Sequence, residues 1–386
     1  MSHEFPARFK ATIPVRSFTV SFTDDEVHNM TALVKLSKLA RPTYEGQSRN
    51  FGLTSEWMKL AKATWENDYD WRTTEARINS LPQYLATIGD QTIHFVGIFS
   101  EDPDAVPLLL LHGWPGSFFE FYPLIDELKK STQPSFHIVA PSFPGYMFSS
   151  PPPLQKDFRQ IDAAHIIDEL MIGLGLGPYI AVGGNMGAQA ARALTARERC
   201  RGCHLSMFLP HATPCGPEDE LPEHEIAGLA RGREWLANSR AYLMLHGTRP
   251  STIAHLVSSS PIALLAWIGE KFMDWTDEDP PVEFVLEMAS LWWLTECYPT
   301  TVYPYREFMN MTDEWKELWR IKKPFGFSWF PKEVVPQPRS WIAGEGDLIF
   351  FNTHKTGGHF PAFEKPVEFS RDIVGFVEAL TEREKQ

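Results

Sequence analysis

Cysteine is scarce, with four in 386 residues, so a disulfide scaffold is not expected in a chain of this length. Cys200 and Cys203 form a CxxC, but no second pair follows at the spacing a structural zinc site needs. They read as ordinary residues of a helix-to-strand segment. Long apolar runs are missing too. The best stretch, PIALLAWIGEKF (261–272), ends in charges and falls short of the roughly 20 residues that span a bilayer, so no membrane anchor is expected. The opening MSHEFPARFK has neither an apolar core nor a cleavage signature, so no signal peptide is expected, and a cytoplasmic location is. Positive charge is in deficit. Thirty-six Lys and Arg stand against 49 Asp and Glu, a formal charge of -13, which argues against nucleic acid or anionic membranes as partners. Repeats and low-complexity tracts are absent.

Aromatic residues, in contrast, are plentiful. Thirteen Trp and 27 Phe suggest large apolar cores and an apolar pocket. Residues 1–90 mix short periodic stretches with aromatics and read as an irregular arm around the core. A strand–helix alternation follows. TIHFVGIFS (92–100), VPLLLLHG (106–113), FHIVAPSF (136–143), YIAVGG (179–184) and HLSMFLP (204–210) read as strands, with helical patterns such as FFEFYPLIDELKK and DAAHIIDELMIGLG between them. The middle strands are nearly continuous apolar runs, as in parallel strands buried on both faces, so the fold class is α/β with a mostly parallel sheet. Residues 91–211 form the first part of this core. Residues 212–320 are rich in helix formers, tryptophan and proline, show no convincing strand, and read as a helical lid. Residues 321–386 complete the core, with SWIAG (340–344) and LIFFNTH (348–354) as strands and PVEFSRDIVGFVEAL as a closing helix. A lid inserted late in such a sheet covers the carboxyl ends of the strands, where open α/β sheets keep their active sites.

Three short motifs suggest chemistry there. Gly183-Gly184-Asn185-Met186-Gly187 fits the strained strand-to-helix turn of a nucleophile elbow, which needs small residues around its apex, although a plain glycine turn fits equally well. HGWPG (112–116) ends a strand where an oxyanion loop would lie. Backbone N–H groups at Trp114 and Met186 could bind a developing negative oxygen. His359, in TGGHFPAFEKP after the last strand, stands where such a fold keeps its general base, and that base needs a carboxylate partner. Glu333 in FPKEVVP and Asp347 in GEGDLIF are the two candidates. GLGLG (173–177) precedes a strand instead of following one, so it is not a dinucleotide loop.

The chain resembles the epoxide hydrolases of the microsomal type, particularly their soluble fungal members, over nearly its whole length. The matching stretches are RPTYEG, EWMKLAKATWENDYDWR and EARINSLPQY in the arm, and LLHGWPGSFFEFYPLI and APSFPGY in the core. TRPSTIAHLVSSSPIALLAWIGEKF in the lid, then FPKEVVPQPRSW and GGHFPAFEKP, complete them. The resemblance implies an α/β-hydrolase fold and a two-step reaction without metal or organic cofactor. An elbow aspartate attacks the epoxide to form a hydroxyalkyl ester. Two lid tyrosines assist the departing oxygen, and a His–acid pair directs water to hydrolyse the ester. Matched by motif, the tyrosines are Tyr242 in SRAYLMLHGTRP and Tyr305 in PYREF, with Tyr303 outside the YRE context. The acid is Glu333 and the base His359. The implied substrate is a small lipophilic epoxide, and relatives often form homodimers.

One position departs from the family pattern: Asn185 stands where the aspartate belongs. The two side chains are nearly equal in size, so fold and pocket should survive the exchange. A neutral amide oxygen, however, lacks the charge that makes a carboxylate a nucleophile. Several readings follow: a residue exchanged to trap substrate, epoxide opening by activated water, a cyclase using a hydroxyl of the substrate, or a silent binder of lipophilic molecules. A further one is hydrolysis of the Asn185 amide to aspartate by the site itself. An esterase or lipase is disfavoured, because the elbow carries neither serine nor cysteine.

Overall fold

The computed structural model describes residues 4–208, 218–309 and 312–386. Nine strands build one sheet: β1 (Val15–Phe18), β2 (Gln83–Ile88), β3 (Gln91–Phe99), β4 (Val106–Leu111), β5 (Phe136–Pro141), β6 (Tyr179–Gly183), β7 (Cys200–Leu205), β8 (Phe325–Trp329) and β9 (Leu348–Thr353). Their spatial order is β1-β2-β3-β5-β4-β6-β7-β8-β9. Pairing is antiparallel from β1 through β2 and β3 to β5, and parallel from β5 to β9. All four leucines of β4 and the Ile180-Ala181-Val182 run of β6 are buried, as their unbroken apolar sequence requires. The helix Asn185–Leu194 packs against β4, β6 and β7, and the closing helix Pro366–Glu384 covers β7, β8 and β9.

The structure differs from the sequence expectations in four places. The arm is not irregular. It supplies β1 and β2 to the sheet and three helices, Asp24–Leu36, Ser55–Asn67 and Trp71–Ile78, each begun by a side-chain cap from Thr23, Thr54 or Asp70. All three helices pack on the lid helix Val282–Leu294, so the arm grips both core and lid. The strand expected at 204–210 instead begins at Cys200 and ends at Leu205, which places both thiols of the CxxC, buried and unbridged, within β7. Residues 209–210 and the expected junction at 211/212 lie outside the described residues.

SWIAG is a helix, Arg339–Ala343. It starts directly after Pro338, whose carbonyl accepts from Trp341 and Ile342. The strand missed there is β8, whose FGFSW has a glycine at its second position. A Cβ on Gly326 would come within 2.5 Å of His204 Nδ1 on the neighbouring strand, so close strand packing requires the residue that weakens the strand signal. The lid is helical as expected, with Glu223–Asn238, Ala241–Thr248, Pro250–Val257 and Pro261–Trp275 preceding Val282–Leu294. Among the described residues, no single helix is long and apolar enough to cross a membrane.

Four fully buried histidines tie stability to pH. Burial lowers His94 and His246 to about 3, and His112 and His204 to about 4, from an ordinary 6.5. The unfolded chain therefore binds more protons than the folded one below 6.5. Their stabilising contribution is complete above 6.5 and is lost as pH falls towards 4. Burial raises Glu120 to about 8 and also raises Asp274, Glu287, Glu307 and Glu364, and these carboxyls act in the opposite sense, but among them only Glu120 is displaced as far as the four histidines. Each pK unit is worth about 1.4 kcal/mol, so urea unfolding free energies should drop by several kcal/mol between pH 6.5 and pH 4. A flat profile over that range would contradict neutral buried imidazoles.

Candidate active site

Sheet register assembles the site. Leu111, the last residue of β4, pairs with Gly183, the last of β6, so the HGWPG loop and the elbow emerge side by side. Asn185 opens its helix with φ of +50°, a left-handed conformation that most residues avoid and that asparagine and aspartate tolerate better than other non-glycine residues. Glycines around the apex make this turn possible, Gly183 among them, where a Cβ would lie 2.4 Å from the Gly187 carbonyl oxygen. A Cβ on Gly187 would lie 2.0 Å from the Leu111 carbonyl oxygen, and one on Gly113 would overlap the Asn185 side chain. The HGWPG loop is fixed from above, where the lid residue Trp292 donates its indole N–H to the Pro115 carbonyl at 3.0 Å.

The amide of Asn185 is held at both ends. Its Oδ1 accepts from the backbone N–H of Trp114 at 3.0 Å and of Met186 at 2.7 Å. Two N–H donors at that atom require the oxygen there, so Nδ2 faces His359. It lies 2.8 Å from Nε2. The other ring nitrogen, Nδ1, is 2.7 Å from Glu333 Oε1. With Nδ1–H donating to the carboxylate, Nε2 carries the lone pair that accepts from the amide. Glu333 Oε1 also accepts from the Val334 N–H at 2.6 Å. Glu333 and His359 are both buried.

The Glu333–His359 contact follows from topology. β8 and β9 run parallel, and a bridge between Lys332 and Gly358 continues their pairing past both strand ends. The next residue on each side is Glu333 and His359. Asp347, the other candidate acid, precedes β9 at its opposite end and forms a half-exposed ion pair with Arg383 at 2.8 Å. It does not belong to this site.

Tyr242, on the lid helix Ala241–Thr248, and Tyr305, in the turn Tyr303–Met309, line the same cavity as Asn185 and His359. Their rings sit edge to face, 5.9 Å apart, and Tyr242 stacks on Trp114 at 5.4 Å. The Tyr305 hydroxyl is buried beside that of Tyr242, with which it interacts directly. Burial holds both phenols above the ordinary tyrosine range, so both stay protonated and able to donate. Tyr303 does not line this cavity and packs its edge on Phe158.

The cavity measures about 460 Å³, with Trp235, Leu243, Phe308 and Val335 in its apolar wall. Two of its features were not read from the sequence. Gln189, one helical turn past Asn185, lines the cavity with an Oε1 that has no partner among the described residues. Its spacing from the elbow apex was the available signal. Lys271, buried and paired with Glu270, places its ammonium 4.6 Å from the centre of the Tyr242 ring. A cation over that face draws electron density from the phenol and strengthens it as a donor. No spacing rule links residues 242 and 271.

Comparisons with known proteins identify the family and the fold. Residues 15–121 match the model of the epoxide hydrolase N terminus, and residues 106–232 that of the alpha/beta hydrolase fold. The solved Aspergillus niger epoxide hydrolase is 48% identical and superposes with a TM-score of 0.92, covering 98% of this chain and 99% of that one. The juvenile hormone epoxide hydrolase of the silkworm Bombyx mori superposes at 0.87 with 25% identity, over 98% and 97% of the two chains. Epoxide hydrolase 1 of Oryctolagus cuniculus is 30% identical over 96% of this chain and 90% of its own. The α/β-hydrolase core, the lid and a hydrogen-bonded Glu–His pair at the elbow thus belong to a member of the epoxide hydrolase family, with an amide at the apex of its elbow.

Proposed function

We propose that this site adds water to a lipophilic epoxide in two steps, with position 185 as the point of attachment, and that its Asn form is impaired in the first step only. Tyr242 and Tyr305 donate to the epoxide oxygen while the ring opens. With aspartate at 185, a carboxylate oxygen attacks a ring carbon and the ring-opened substrate is held as an ester on the residue-185 carbonyl, a step that the Asn185 amide does not perform. His359, oriented by Glu333, takes a proton from water, which adds to that carbonyl, and the Trp114 and Met186 N–H groups hold the oxyanion. The product is a vicinal diol. The observation that carries this reading is the hydrogen-bonded chain from Glu333 through His359 to Asn185, ending in a carbonyl oxygen that accepts from two backbone N–H groups. The apolar cavity supports a lipophilic substrate, and two protonated phenols within it support assistance to a leaving alkoxide.

The test removes the phenols one at a time in an Asn185→Asp background, where the first step has its carboxylate. Tyr242→Phe and Tyr305→Phe should each slow ring opening of a styrene-oxide-type probe by about 10²-fold, the scale of a lost oxyanion donor. Single-turnover ester formation measures this step separately from hydrolysis. Unchanged ester formation in both variants would remove the tyrosines from the mechanism.

A further inference from the structure

The machinery around Asn185 is complete for hydrolysis of a carbonyl derivative at Cγ, and the derivative it holds is the amide of Asn185 itself. We infer that the protein converts Asn185 to aspartate by hydrolysing its own side chain, so that the elbow nucleophile arises after folding. This rests on the hydrolytic half of the proposed reaction and extends it to a modification of the chain.

Three contacts carry the inference. The carbonyl oxygen already accepts from the two N–H groups, at 3.0 and 2.7 Å, that would hold a tetrahedral oxyanion. The nitrogen that must leave lies 2.8 Å from His359 Nε2, the atom able to protonate it. Glu333, 2.7 Å from His359 Nδ1, stabilises the imidazolium formed in between. In the step itself, His359 takes a proton from water and hydroxide adds to Cγ. The Oδ1 anion is held by Trp114 and Met186. The imidazolium then returns a proton to Nδ2, the Cγ–Nδ2 bond breaks and ammonia departs. One water is consumed, and amide becomes carboxylate plus ammonium with no oxidant or cofactor.

The ordinary route for asparagine, attack by the following backbone nitrogen on Cγ, is poorly served here. That nitrogen belongs to Met186, which lies in the first turn of a helix and donates its N–H to Asn185 Oδ1. The route would also yield isoaspartate, whereas direct hydrolysis yields aspartate alone. The two mechanisms therefore leave different products.

The experiment follows freshly purified full-length protein over time by peptide mass spectrometry across residues 179–194, with exposed Asn238 in the same digest as the reference amide. Asn185 should gain the amide-to-acid mass difference well ahead of Asn238, with no isoaspartate, and epoxide turnover should rise with the converted fraction. His359→Gln should slow conversion by roughly 10²–10⁴-fold, the usual weight of a general acid–base. Glu333→Gln should slow it less, and circular dichroism verifies that both variants are folded. An Asn185 that persists while Asn238 ages, conversion that does not depend on His359, or an isoaspartate product would overturn the inference. Asn185→Asp separates it from the proposed function. An active N185D beside an unchanged amide defeats the self-conversion alone, whereas conversion to an aspartate that opens no epoxide defeats the epoxide reading alone.

Discussion

Asn185→Asp should raise diol formation from a styrene-oxide-type substrate by at least about a thousandfold over freshly prepared Asn185 protein, since losing a covalent nucleophile removes several powers of ten in rate. The size of the effect follows from how little else would change. The two side chains are nearly isosteric, and the aspartate Oδ1 would keep the Trp114 and Met186 N–H donors. The second oxygen would face His359 Nε2 at the 2.8 Å now spanned by the amide nitrogen. The Gly113 and Gly187 backbones that make room for the turn are untouched. The gain should therefore fall on kcat, with substrate affinity nearly constant. Bound epoxide without diol in the folded variant would instead mark the site as a binding pocket.

The second large effect is expected from His359→Gln in the Asn185→Asp background. Ring opening does not require the imidazole, because the carboxylate attacks directly and the tyrosines assist the oxygen. Ester hydrolysis does require it. The double variant should form about one equivalent of ester per chain and then stop, with steady turnover lower by roughly 10³–10⁴-fold. Intact-protein mass spectrometry should find the substrate mass added, and digestion should map it to the peptide holding residue 185. Loss of turnover with no adduct would mean that His359 acts before or during ring opening, and the division of labour proposed here would fail.

Much of this site could be read from the sequence because its parts are local. The elbow needs small residues around one apex, the oxyanion loop needs its HGWPG after an apolar strand, and His359 stands in a glycine-rich loop after the last strand. Such constraints act within a few residues, and the amino-acid string displays them directly. What escaped depends on contacts between distant segments. β8 was missed because its Gly326 is dictated by His204 on the adjacent strand. SWIAG was misread because five residues cannot show whether their period is that of a strand or a helix, and Pro338 decides the matter by opening a helix. The arm looked irregular because β1, four residues long, gains its stability only by pairing with β2 some 65 residues later.

By itself the sequence determined the α/β alternation, the helical lid, the family, and the anomaly of an amide at the elbow, all of which reside in residue types and their order. The family motif already pointed to Glu333, and tertiary structure decided how that acid, and not Asp347, reaches His359. Glu333 and Asp347 differ little as isolated residues, and only the parallel pairing of β8 with β9, continued by the Lys332–Gly358 bridge, brings Glu333 to the imidazole and leaves Asp347 at the far end of the strand. It also decided which way the amide points. A side-chain carbonyl turns towards whatever donors the fold supplies, and here two backbone N–H groups, one 71 residues before Asn185 and one directly after it, hold the oxygen, leaving the nitrogen to the histidine.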